Sequence, residues 1–202
     1  MIITDIIDID KRKSKIYLDD ELFCSLYKGE IRRLDLKVND ELSDESLTEI
    51  YSVLYKRARE RSFYILKNRD YTEYELNTKL KKGYYPEEII NTVITKLKEY
   101  GYIDDERFAS NYIENCIKRE SKRMISSKLY AKGVPDSIIK EKLSDYAMDA
   151  SNIILDKYSK LIIDIVEGDE KTRTRLISRL LRRGFSYDEI SRSINIYKEQ
   201  IS

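Results

Sequence analysis

The sequence predicts a mainly α-helical protein: three tandem three-helix repeats forming a curved, elongated array, with a small antiparallel β-sheet at the N-terminus. Three observations predict this. Apolar and polar residues alternate over the first fifty positions, and apolar residues recur at helical spacing over the rest. One pattern of apolar, basic and glycine residues then occurs three times, about fifty residues apart.

The alternation runs through Ile7-Asp8-Ile9, Ile16-Tyr17-Leu18 and Leu22-Phe23-Cys24, and it is interrupted by the basic stretch from Lys11 to Lys15 and by Asp19-Asp20. A period of two puts one set of side chains on one face, so short strands and a hairpin are expected in residues 1–45. That sheet should pack on or near the first repeat yet be separable from it. Ser46-Leu47-Thr48-Glu49 fits a capping box, in which a Ser hydroxyl and a Glu carboxylate each accept a free helix amide. Helix is expected from there onward.

The repeated pattern is Leu76, Lys79, Leu80 leading to Lys82-Gly83; Ile125, Lys128, Leu129 leading to Lys132-Gly133; and Leu176, Arg179, Leu180 leading to Arg183-Gly184. Its spacing sets the two apolar groups on one helix face beside a cation. Each Gly is expected to end a helix in the left-handed conformation, with the preceding cation facing the negative end of the helix dipole. Pro86 and Pro135 suit the first turn of the helix that follows, and Ser186 to Glu189 forms a capping box in the third copy. Ile89-Ile90, Ile138-Ile139 and Ile190 with Ile194 supply the next apolar faces.

Helices are therefore expected near 46–68, 73–82 and 86–100, then 105–119, 122–132 and 136–146, then 149–164, 171–183 and 187–200. The segments are a β-rich domain at 1–45 and helical repeats at 46–103, 104–147 and 148–202. Thin three-helix cores should support one another by stacking.

Composition narrows the function classes. The chain has no His, which excludes Ser-His-Asp and Cys-His catalysis and imidazole metal ligation. Cys24 and Cys116 lie far apart without a CxxC partner and are expected to be buried thiols. None of the six Gly sits in a nucleotide-cradling loop. No catalytic residue, cofactor or metal site is expected. No apolar run is long enough to span a membrane, and Asp5, Asp8 and Asp10 speak against a signal peptide, so a cytoplasmic protein is expected.

The net charge of +1 hides an asymmetry, because residues 1–50 hold 8 basic against 13 acidic side chains while the remainder holds 30 against 24. The basic residues cluster. Arg119, Lys122, Arg123, Lys128 and Lys132 form one stretch, and Lys171, Arg173, Arg175, Arg179, Arg182 and Arg183 form another, with Lys79 and Lys82 at the matching place in the first copy. These thirteen are the candidate binding residues, for an acidic protein groove or for a phosphate backbone. Most of the 17 Tyr are read as packing residues, with Tyr84, Tyr85, Tyr102 and Phe185 at helix junctions.

The most diagnostic stretch runs Leu97-Lys-Glu-Tyr-Gly101-Tyr102-Ile103-Asp104-Asp105-Glu-Arg-Phe108-Ala109-Ser-Asn-Tyr112. With Glu75-Leu76-x-x-Lys79-Leu80 leading to Lys82-Gly83-Tyr84, Arg182-Arg183-Gly184-Phe185-Ser186, and Leu36-Lys-Val-x-Asp40-Glu41-Leu42, it resembles the RecX family, bacterial regulators of the RecA recombinase. The resemblance covers nearly the whole chain and departs at Ser121-Lys122, where many members have Gly-Pro. It implies three tandem three-helix repeats without catalytic activity. It further implies binding along the RecA filament on DNA, to the recombinase and weakly or directly to single-stranded DNA or DNA phosphates, blocking strand exchange and ATP hydrolysis. The residues alone leave a second reading open, a direct DNA binder with helix-turn-helix-like units. The modest charge of the helical body favours the first.

Overall fold

The computed structural model describes residues 1–146 and 150–201, which form three strands and ten helices. The chain divides into two compact units, Met1–Asp104 and Asp105–Ser202.

The first unit opens with an antiparallel sheet of order β1-β2-β3, made of β1 (Ile3–Asp8), β2 (Lys13–Leu18) and β3 (Glu21–Tyr27). Its register pairs Ile6 with Ile16 and Ile16 with Cys24, which fixes the apolar face. Asp19 and Asp20 make the β2–β3 turn with φ of 48° and 68°, a mirror-image two-residue turn that matches strand twist and that Asp tolerates better than most side chains. A short helix not anticipated from the alternation, α1 (Lys28–Arg33), follows, with the Glu30 carboxylate accepting the Tyr27 amide at 2.7 Å.

Helices α2 (Asp44–Leu66), α3 (Glu73–Lys81) and α4 (Glu87–Glu99) make the first repeat. Helix α2 starts earlier than expected, because Ser43 rather than Ser46 is the cap: its hydroxyl accepts the Ser46 amide at 3.2 Å. Glu49, expected in the box, pairs instead with Arg33. Ile3, Ile16 and Leu26 of the sheet and Ile50, Leu54, Leu76, Leu80 and Ile90 of the repeat are all fully buried in one continuous cluster. The Ser25 amide and hydroxyl donate to the carbonyls of Tyr84 (3.2 Å) and Gly83 (3.0 Å). Sheet and first repeat thus share a core, where the sequence reading treats them as separable.

The second unit holds two more triplets: α5 (Asp105–Cys116), α6 (Lys122–Ala131) and α7 (Asp136–Ser144), then α8 (Ala150–Glu167), α9 (Glu170–Leu181) and α10 (Tyr187–Ile201). One core gathers Ile113, Ile125, Leu129 and Ile139, the other Ile154, Ile162, Leu180 and Ile190. In all three triplets every helix packs on the other two. The middle helices share a capping position as well, filled by Thr72, Ser121 and Asp169, and Thr72 forms a full box with Glu75. The boundary expected at 147/148 and the helix start expected at 149 lie outside the described residues.

The turn between the second and third helix of each repeat corrects one expectation. Gly133 and Gly184 are left-handed, with φ of 78° and 85°, but Gly83 is not; Tyr84 takes that conformation at φ 59°. Gly83 comes three residues after its Leu, while Gly133 and Gly184 come four after theirs, and it is the fourth position that must turn left. Gly83 is needed for space instead. A Cβ there would lie 2.8 Å from the Tyr85 ring and 3.2 Å from the Leu80 carbonyl.

Both cysteines are free thiols. Cys24 is fully buried, and burial pushes its thiol up to about 12, so it stays protonated; Cys116 is only half-buried, short of the expected burial. Among the described residues no helix is long and apolar enough to cross a membrane, and no group of acidic, Cys or His side chains could hold a metal.

Three outcomes follow for stability. Gly101, with φ 71° and open space around it, should lose only about 1–2 kcal/mol when changed to Ala, the left-handed penalty. Gly184→Ala should lose more in urea denaturation, since its Cβ would meet Ser121 Oγ and sit 2.9 Å from Met124 Cβ. Removing residues 1–45 uncovers the buried face of α2 and should lower the melting temperature of the remaining first repeat or unfold it, read by circular dichroism.

Candidate partner-binding surface

Helix α9 organises the third-repeat cations. At about 100° per residue, Lys171, Arg175, Arg179 and Arg182 fall within about 80° of arc, while Leu176 and Leu180 point into the core. All four basic residues are exposed. Arg173 is exposed too but lies off this stripe, about 120° or more from its members. The helix is started by Asp169, whose carboxylate accepts the Thr172 amide at 2.7 Å. Bonds from the Thr172 side chain and amide, helped by the Arg175 charge, hold that carboxyl below its ordinary range. The stripe therefore sits on a firmly capped, two-sided helix.

The second-repeat cations are placed differently, because most are engaged within the chain. Both oxygens of Glu120 grip the Lys128 ammonium, at 2.6 and 2.7 Å, and this bond raises the Lys128 pKa. Lys122 donates to the Leu143 carbonyl at 3.0 Å, closing the C-terminal end of α7. The Arg119 guanidinium bonds the Asn115 carbonyl at 2.7 Å. Lys132 lies over the Phe108 ring at 5.6 Å. Arg123 is exposed and lines a cavity of about 450 Å³ with Lys122, Arg192 and Glu189. The five residues are neighbours in sequence without forming one face.

Arg183 is likewise drawn into a joint between repeats two and three. Its guanidinium donates to the Tyr158 hydroxyl at 2.9 Å and covers the Tyr158 ring at 5.3 Å, and that hydroxyl donates to the Arg119 carbonyl at 2.6 Å. Tyr158 itself breaks the helical run of α8, at φ −125° and ψ 20°, and meets Phe185 edge to face. Lys132 on Phe108 and Arg183 on Tyr158 are the same clasp in two repeats: the cation before the left-handed Gly lies on an aromatic of the first helix.

In the first repeat the clasp is inverted, with Arg57 of α2 lying 5.9 Å from the Tyr85 ring that follows the turn. Lys79 and Lys82 are both exposed and line a cavity of about 570 Å³ between the sheet and the repeat. Three cations absent from the sequence-predicted set join them there, Lys13, Arg57 and Arg61. The spacing of Arg57 and Arg61 signals a shared helix face, but only the packing of β2 against the repeat brings Lys13 beside them. Arg192 is the comparable omission in the second unit.

The exposed cations thus form separate anion-attracting sites, one in the first unit and others in the second. Comparison with known proteins shows the family. Residues 58–97 match the family model described as RecX, first three-helix domain, and residues 104–143 that of the second three-helix domain. The regulatory protein RecX of Clostridium acetobutylicum is 33% identical over 198 residues, covering 89% of this chain and 87% of that protein. That of Clostridium tetani is 30% identical over 197 residues, covering 94% and 91%. A crystal structure of RecX from Lactobacillus salivarius shares the fold at a TM-score of 0.62 and 23% identity, over 71% of this chain and 96% of that one. A crystal structure of another regulatory protein RecX does so at 0.60 and 22%, over 96% and 98%. With three three-helix repeats and these relatives along nearly its full length, the chain belongs to the RecX family of regulatory proteins.

Proposed function

We propose that this protein is a cytoplasmic, non-catalytic regulator that binds the RecA recombinase filament on DNA and inhibits its ATPase and strand-exchange activities, modulating recombination and DNA repair. The observation that carries the reading is the α9 stripe. Lys171, Arg175, Arg179 and Arg182 present four exposed cations along one line of a capped helix, a form suited to an acidic groove or to phosphates within it. The same reading takes repeats 46–103, 104–147 and 148–202 as successive modules, with Arg123 and the first-repeat cations as further contacts. Lys122, Lys128 and Arg183 hold the fold and belong to the binding set only through it.

Replacing Lys171, Arg175, Arg179 and Arg182 together by Gln should weaken inhibition of the RecA ATPase by roughly tenfold or more, about 1.4 kcal/mol of lost binding. Helix content should hardly change, because exposed charges contribute little to stability. Raising salt from about 0.1 to about 1 M should mimic the substitution, since the screening length falls from about 10 to about 3 Å. Full inhibition by the folded variant at low and high salt would reject the electrostatic mechanism. Tight, sequence-dependent binding to bare DNA without RecA would favour the direct DNA-binding reading.

Arg183→Ala and Leu180→Ala should behave otherwise. The first loses the Tyr158 joint and the second leaves a cavity costing about 2–5 kcal/mol. Both should lower the melting temperature of the second unit, with inhibition falling only as the folded fraction falls.

A further inference from the structure

The cavity between the sheet and the first repeat has a chemistry of its own. Cations reach it from three places far apart in sequence: Lys13 at the start of β2, Arg57 and Arg61 on α2, and Lys79 and Lys82 at the end of α3. Five like charges therefore converge on a concavity of about 570 Å³, and Glu60 is the one acid lining it. Such convergence opposes folding unless a counter-charge is supplied. The fold supplies it to one member. Glu30 pairs with Arg57 at 2.9 Å, both side chains being mostly shielded from solvent, and the same guanidinium donates to the Ser25 carbonyl at 3.3 Å. Among the described residues no carboxylate stands within ion-pair distance of Lys13, Arg61, Lys79 or Lys82.

The Tyr27 ring in the cavity is already used. Lys13 and Arg57 lie 4.7 and 4.4 Å from the centre of the Tyr27 ring, so that ring orients cations and is not open to a stacked base. Gly83 admits no Cβ without a clash against Tyr85. The repeats add an independent observation. In repeats two and three the cation before the left-handed turn is folded back onto an aromatic ring, whereas in repeat one that position is Gly83 and the cation stands one residue earlier, as exposed Lys82 at the cavity. The turn that is altered to dock the sheet also releases a cation toward the cavity.

We infer that this cavity is a phosphate-binding site, built jointly by the N-terminal sheet and the first repeat, that takes a phosphate chain or a phosphodiester segment. The site shares Lys79 and Lys82 with the further contacts of the proposed function but none of the α9 stripe, and its phosphate binding is tested apart from any action on RecA. Lys13 and Lys82 close on the anion from opposite sides in sequence, Arg57 is the fixed element beneath, and Arg61 and Lys79 add charge at the rim.

The test uses the full-length protein without recombinase. Inorganic tripolyphosphate is titrated while backbone amides are followed by NMR, where Gly83 is one of only six Gly and is readily resolved. Saturable shifts centred on Gly83 and Tyr85 are expected, weakening as salt is raised. Lys13→Gln with Lys82→Gln should reduce affinity by roughly tenfold or more, and Lys118→Gln, outside the cavity, should not. Lys82→Gln and Arg61→Gln, both at exposed positions, serve as single variants if the double variant loses its fold. An unlabelled dT oligonucleotide that displaces tripolyphosphate identifies a phosphodiester backbone as the source; failure to displace it excludes a single-stranded backbone and assigns the site to a free phosphate chain, and either result upholds the site. Unmoved Gly83 and Tyr85 amides, or equal affinity in wild type and variants, would overturn it. A wild-type protein that inhibits RecA but binds no tripolyphosphate would reject this site alone.

Discussion

The left-handed residue four positions after the second-helix Leu is what the helical part of this structure depends on. In each repeat the chain must leave one helix and enter the next within a few residues, and Tyr84, Gly133 and Gly184 supply that reversal. Once the reversal is fixed, the amide after the Gly reaches back to the Leu carbonyl, as from Val134 to Leu129 at 3.1 Å. The side chain after it, Tyr85, Val134 or Phe185, is then turned toward its repeat's core. The third helix enters at a set angle, and its Ile residues close the cluster. Caps at Thr72, Ser121 and Asp169 fix the other end of the same helix. Between cap and turn, the middle helix of each repeat has little freedom of length.

That geometry also sorts the cations. A basic residue just before the turn is close to the first helix, so it meets an aromatic ring there and is retained by the fold, as with Lys132 and Arg183. Lys171, Arg175 and Arg179, on the outer line of the third repeat's middle helix, stay in solvent. Proximity in sequence conceals this distinction. Lys128 and Arg179 stand at equivalent places in their repeats, yet only Lys128 has a Glu120 within reach.

Much of the architecture is legible in the sequence. The triplets at 76, 125 and 176 mark the middle helices, Pro86, Pro135 and Ser186 mark the starts of the third ones, and alternation up to Cys24 marks the strands. Helix α1 is not, because six residues containing a Gly carry too little periodicity. The start of α2 was misplaced because Ser43 and Ser46 are both competent caps, and the acidic pair Asp44-Glu45 decides for the first. For the cations, charge runs mark their place in the sequence and leave open which of them face solvent. Which cation is exposed depends on partners such as Tyr158, Glu120 and the Leu143 carbonyl, and those are tertiary facts.

The exchange of Gly and Tyr at 83 and 84 has a consequence for the history and the engineering of the chain. The three repeats share a fold, so duplication of one ancestral unit is an economical way to read them, yet they are no longer interchangeable. A copy of repeat three moved to the first position would bring Arg in place of Gly83 and Gly in place of Tyr84. The incoming Gly would take away the Tyr84 ring, and Lys15, whose ammonium lies 4.5 Å from that ring's centre, would lose its seat. A consensus repeat averaged over all three would fail in the same place. The first repeat is thus marked at this turn, where it alone carries the ring on which a lysine of the sheet rests.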